Sequence, residues 1–132
     1  MSVAVTNSPI IAFNTVAAGT ENLATSVTDA LAEVFTITPT APGGKCLIEF
    51  DLSNKLATVV ADSDATFSIA AGDFWDGKAV TGTIVKATKK VIQVETANVL
   101  QNDGTILVTL TPSATDALKT NHAANVVCYE LL

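Results

Sequence analysis

The sequence predicts an all-β protein, a single-domain antiparallel β-sandwich or jelly-roll-like barrel of about eight or nine strands spanning residues 1–132. Three observations carry that prediction. Segments such as Thr66-Phe67-Ser68-Ile69 and Thr105-Ile106-Leu107-Val108-Thr109-Leu110 alternate polar and apolar residues, the period of a half-buried strand. Residues that accept positive φ punctuate them, at Gly72, Asp76-Gly77, Gly82 and Asn102-Asp103-Gly104. Thr and Val, whose β-branching suits a pleated surface, are abundant. A chain of 132 residues is long enough for one two-layer core and too short for two.

Taken in order, residues 3–16 give two short extended pieces separated by Asn7-Ser8-Pro9, and Pro9 belongs at a strand start or on an edge. This apolar segment, within residues 1–20, reads as an extended N-terminal arm that docks on the same chain or on the next subunit. Residues 19–32 read as a loop with one helical turn; a helix over Asn22–Leu31 is the alternative, since Leu23, Val27 and Leu31 recur at helical spacing among poor helix formers. Glu33–Thr38 alternates with Phe35 and Ile37 inward, and the Pro- and Gly-rich segment 39–44 turns the chain. Lys45–Ser53 places Cys46, Ile48, Phe50 and Leu52 on one face, and is expected to form a hairpin with the strand before it. Leu56–Ala61 reads as a short strand.

The stretch from Ala65 to Thr111 reads as four strands of one sheet separated by turns, with the bend AGDFWDGK after the first. Its later strands are Ala79–Val85, weakened by Gly82, and Lys89–Glu95. Ala97–Gln101 is a brief extended piece before the Asn-Asp-Gly turn, whose residue types suit a tight hairpin. A helical turn is expected at Thr115–Lys119. The closing strand Asn125–Leu131 splits its apolar residues between both faces, as in a central strand or one at a subunit contact.

Composition narrows the function. Net charge is −6 and all seven basic residues are Lys, so the basic, Arg-bearing face of a nucleic-acid binder is missing. No run approaches the roughly 18 apolar residues of a membrane span. The N-terminus lacks the basic region, apolar core and cleavage site of a signal peptide, so folding in a cytoplasm is expected. Charged residues make up 15% of the chain, low enough to expect that partner subunits cover part of its surface.

Candidate sites are few. Cys46 and Cys128 read as small buried hydrophobes; a disulfide between neighbouring strands is the alternative, and no CxxC or nearby His completes a metal site. His122, the only histidine, has no nucleophile context around it and reads as an exposed loop residue. Asp62, Asp64, Asp73 and Asp76 cluster in sequence, but without Ca²⁺-loop spacing they read as turn residues rather than as metal ligands or a glycosidase pair. No catalytic residue, cofactor or metal site is expected. Phe74-Trp75 is the most informative pair: one ring can enter the core while the other anchors a protein contact, stacks on sugar, or caps the open end of the sandwich. With Ile10, Ile11 and Phe13 of the N-terminal arm, these two form the candidate protein-contact set.

The segment AAGDFWDGKAVTGTIVKATKKVIQVETANVLQNDGTILVTLTPS, together with NVVCYELL and the strand–turn–strand unit VFTITPTAPGGKCLIEFDLSN, resembles tailed-phage head-decoration (capsid cement) proteins. The resemblance covers roughly residues 33–131. It implies a non-enzymatic virion structural protein, made in the host cytoplasm, that binds the outer capsid surface and stabilises the shell. The implied partner is the major capsid protein, and a homo-oligomer, a trimer by preference, is expected. Another self-assembling virion or filament subunit (tail or spike) is the main alternative. A carbohydrate-binding module is the lesser one, because one Trp and one Tyr cannot build an aromatic row.

Overall fold

The computed structural model describes residues 2–5, 7–10, 32–40, 43–53, 64–74, 76–112 and 125–131. In chain order these form β1 (Ser2–Val5), β2 (Asn7–Ile10), β3 (Glu33–Ile37), β4 (Lys45–Asp51), β5 (Ala65–Ile69), β6 (Val80–Ile84), β7 (Lys89–Glu95), α1 (Thr96–Val99), β8 (Ile106–Pro112) and β9 (Asn125–Leu131). One sheet has the order β1-β3-β8-β5-β6 and the other β2-β9-β4-β7. The sheets are not closed on one another, so of the two architectures expected from sequence the sandwich is the one formed. Pairing is antiparallel except at β1–β3 and β2–β9, which are parallel.

The period-two pattern decides which side chains face inward. Phe35 and Ile37 of β3, Ile106, Val108 and Leu110 of β8, and Ala65, Phe67 and Ile69 of β5 fill one layer. Cys46, Ile48 and Phe50 of β4, Val94 of β7, and Val126 and Cys128 of β9 fill the other. The layers meet where the Phe50 and Phe67 rings stack, with centroids 4.8 Å apart. Gly82 lies opposite Phe67 in the β5–β6 register, and a Cβ there would come within 2.7 Å of the Phe67 ring. Gly82 is therefore a packing requirement in the middle of a strand rather than a turn residue. Lys90 completes the arrangement: its ammonium sits 5.7 Å from the Phe67 centroid and donates to the Thr83 carbonyl at 2.9 Å.

Three local expectations are corrected. β3 and β4 do not form a hairpin; they belong to opposite sheets, because both inward faces (Phe35 and Ile37, Cys46 to Phe50) point at the same core from opposite sides. The four strands from Ala65 to Thr111 do not share one sheet: β5, β6 and β8 do, while β7 crosses to the other layer. Amphipathic alternation reports that a face is buried but not from which layer. Third, Thr96–Val99 is a helical turn rather than an extended piece, and Thr96 and Val99 are buried by it. Only Leu100, just beyond, makes a bridge, to Ile106. The segments Leu56–Ala61, Asn22–Leu31 and Thr115–Lys119 lie outside the described residues.

β9 lies between β2 and β4, which explains its two apolar faces: Val126 and Cys128 point inward, while Val127, Tyr129 and Leu131 lie on the other side. Glu130 shares the inward face and is 2% exposed. A buried carboxylate needs donors, and Thr40 supplies two. Its N–H donates to Oε1 at 2.6 Å and its hydroxyl to Oε2. This contact ties the crossing between β3 and β4 to the end of β9.

On the outer face, Asp51 is buried at the end of β4, accepts from the Ser53 N–H at 2.8 Å and pairs with Lys89 at 3.1 Å. Burial raises its pKa, but the Ser53 hydroxyl and N–H and the Lys89 ammonium outweigh burial and hold the carboxyl below the usual range.

Gly82→Ala is expected to lower unfolding stability by about 1–3 kcal/mol, the usual cost of overpacking, because the added methyl must displace the Phe67 ring; a denaturant midpoint equal to that of the native chain would contradict this packing. The depressed Asp51 carboxyl contributes stability above its unfolded pKa of about 3.9. That contribution is lost as pH falls through the lower folded value. In Asp51→Asn the loss of stability on acidification should be shallower than in the native chain, as read from thermal midpoints across the acid range.

Candidate functional site

β5 and β6 are neighbours joined by residues 70–79, and the described residues of this connection are hydrogen-bonded to residues 98–102. The N–H groups of Gly72 and Lys78 both donate to the Asn98 carbonyl, at 2.9 and 3.0 Å, and the Asp73 N–H donates to Leu100 O at 3.0 Å. The Gln101 side-chain amide donates to Ala71 O at 2.9 Å, and the Asp73 carboxylate accepts the Asn102 N–H at 2.9 Å. Within the bend, the Gly77 N–H closes a turn onto Phe74 O at 3.2 Å.

Two glycines allow this approach. A Cβ on Gly77 would lie 2.1 Å from Gly72 O, and one on Gly72 would lie 2.7 Å from Leu100 O. Asp76 takes φ 60°, a left-handed conformation that Asp tolerates better than most residues. The result is a bend docked along its length on residues 98–102, held mostly by backbone groups.

Phe74 is carried at the tip of this bend and is 52% exposed. Around it stand Asp73, already engaged by Asn102, and the exposed Asp76–Lys78 pair at 3.6 Å. Val85 and Val91 are the other large exposed apolar side chains among the described residues.

The remaining sequence candidates are placed as follows. Ile10 closes β2, in register with Leu131 of β9, and so runs along this chain's own sheet. Trp75, Ile11, Phe13, His122 and Asp62 lie outside the described residues. Asp64 accepts the Lys86 N–H at 2.8 Å, and Asp103 caps its own turn by accepting the Thr105 N–H at 3.0 Å. Asp103 thus serves its own turn, whereas Asp64 joins the start of β5 to residue 86, twenty-two positions on. Among the described residues no three His, Cys, Asp or Glu side chains come together as a metal-binding group.

Cys46 and Cys128 are buried and free, on the same face of adjacent strands, and the Cys46 thiol lies 3.3 Å from the Thr96 hydroxyl. Contact with Cys46, then burial, pushes the Cys128 thiol far above the usual range, so it stays protonated. Among the described residues no helix is long and apolar enough to cross a membrane.

Sequence reasoning found Phe74 but not the platform beneath it. Asn98, Leu100, Gln101 and Asn102 hold the bend from twenty to thirty residues downstream, and three of these four act through backbone groups that any residue possesses. The one signal available was the pair of glycines flanking the aromatic residues. Comparison with known proteins finds no matching family model, curated protein or solved structure.

Gly77→Ala forces two backbone segments apart. It is expected to destabilise the protein by about 1–3 kcal/mol and to speed amide exchange at Gly72, Asp73 and Lys78 before global unfolding. Native-like exchange at those three amides would show that the bend does not need the close approach.

Proposed function

We propose that this chain is a non-enzymatic structural protein that attaches to the outer surface of a phage capsid and stabilises the shell, with the 70–79 bend as its contact. The observation that carries this reading is the half-exposed Phe74 ring held at the tip of a bend whose backbone is fixed by six hydrogen bonds and two glycines that admit no Cβ. The resemblance of residues 33–131 to head-decoration proteins supplies the partner, the major capsid protein, and with it a place on the virion surface.

The physics of the bend supports a binding part more than a chemical one. A preformed apolar tip with a polar rim is the makeup of a contact anchor, whose affinity comes from covering a ring already in position. Trp75, next in sequence, is proposed to share the contact. A sandwich whose core joins two layers through stacked rings suits a part that must transmit load without yielding.

Co-sedimentation with mature, emptied shells built from the major capsid protein of the same virus tests this. The native chain is expected to saturate the shells and to raise the temperature at which they come apart. Phe74→Ala should bind about tenfold more weakly or worse, with an unchanged unfolding midpoint. Absence of native binding to the shells, or equal binding by Phe74→Ala, would overturn the reading or the placement of its contact, respectively. Open-ended polymers of the native chain alone would instead favour a tail or filament subunit.

A further inference from the structure

The four sheet edges differ in how they are protected. β1 and β2 are four residues each, and β2 contains Pro9. β6 is five residues with Gly82 at its centre, and its Thr83 carbonyl is occupied by the Lys90 ammonium. β7 is seven residues, KKVIQVE, with no Pro and no Gly, and among the described residues it pairs only with β4. A regular edge of this length is a template for another strand.

The phase of the ladder determines which groups that edge offers. The Leu52 N–H donates to Thr88 O at 2.9 Å and the Thr96 N–H donates to Gly44 O at 3.1 Å, just outside the two ends of β7. Antiparallel ladders alternate bonded and non-bonded pairs. Even-numbered residues of β7 therefore bond to β4, and the N–H and C=O groups of Lys89, Val91, Gln93 and Glu95 point away from it. The side chains of those four residues are exposed, Val91 to 52%.

We propose that this edge pairs with the same edge of a second copy, antiparallel about a twofold axis at Ile92, so that the two four-stranded sheets become one. The strand is complementary to itself in this register. Lys89 falls opposite Glu95 of the second copy, Val91 opposite its Gln93, and Ile92 opposite its Ile92. Each odd residue meets an odd residue, as the phase of the outward-pointing N–H and C=O groups requires. Charge supports the same alignment. Lys45 already pairs with Glu95 at 3.2 Å, and Lys89 with Asp51 at 3.1 Å. Joining two copies sets these pairs end to end, giving a row Lys45, Glu95, then Lys89 and Asp51 of the second copy, with alternating sign. Symmetry repeats the row on the other side of the axis. A slip of two residues breaks both rows. The exposed Val91 is covered by this pairing.

The contact is twofold, in place of the trimer expected from sequence, and it is independent of what the bend binds. One strand pair is a small interface, so a concentration-dependent dimer with a dissociation constant of roughly micromolar or weaker is expected.

Sedimentation equilibrium over a wide concentration range tests the pairing with two variants at exposed positions. Val91→Lys/Gln93→Lys sets like charges directly opposite each other twice across the axis and should weaken the dimer about tenfold. Val91→Lys/Gln93→Glu sets opposite charges there and should dimerise at least as well as the native chain. Far-UV circular dichroism and unfolding midpoints should match among all three. A native chain that stays monomeric throughout, a native trimer, or equal association by the two variants would overturn the proposal.

Discussion

The two sheets share one buried core, and Phe50 and Phe67 stack across the gap between them. With few aromatic residues in the chain, the core is made mostly of Ile, Val and Leu, and this pair is an aromatic contact that joins the layers. Its demands propagate outward. The Phe67 ring needs the space above Gly82, which fixes the residue at the centre of β6. The face left over carries Lys90, whose ammonium lies near the ring and reaches the Thr83 carbonyl, so the same contact bridges the adjacent edges of the two layers. Packing, strand composition and edge protection thus meet at one place.

Polar groups inside the sandwich are handled locally. Glu130 is satisfied by Thr40 and Cys46 by Thr96, and each contact lies where the chain leaves one layer for another element: the crossing from β3 to β4, and the start of α1 after β7. These bonds hold connections that hydrophobic alternation leaves undetermined. α1 then leads into residues 98–102, which form the platform for the 70–79 bend. The exposed Phe74 is thereby referred back to the core through a short series of hydrogen bonds.

The bend and the outer edge of β7, which among the described residues pairs only with β4, present two kinds of chemistry. The bend offers an apolar ring on a fixed backbone, suited to a partner of complementary shape. The edge carries outward-pointing backbone groups flanked by charges of alternating sign.

The sequence by itself determined most of the described strands and the faces they bury, and it singled out Phe74-Trp75 without deciding which ring is exposed. Each follows from chemistry within a few residues: alternation over Cys46 to Phe50, β-branched runs at Ile106 to Thr111, glycines on both sides of Phe74. Tertiary structure decided the allocation of strands to layers. β3 with β4, and β6 with β7, look like hairpins because each pair is a short connection between two alternating runs. Yet a strand whose inward face meets the core from above has the same pattern as one that meets it from below. The Phe67–Gly82 fit, the Thr40–Glu130 bond and the seating of the bend on Asn98 and Leu100 were likewise out of reach of the sequence. They join residues from fifteen to ninety positions apart, in several cases through backbone atoms, and only folding brings such groups within bonding distance.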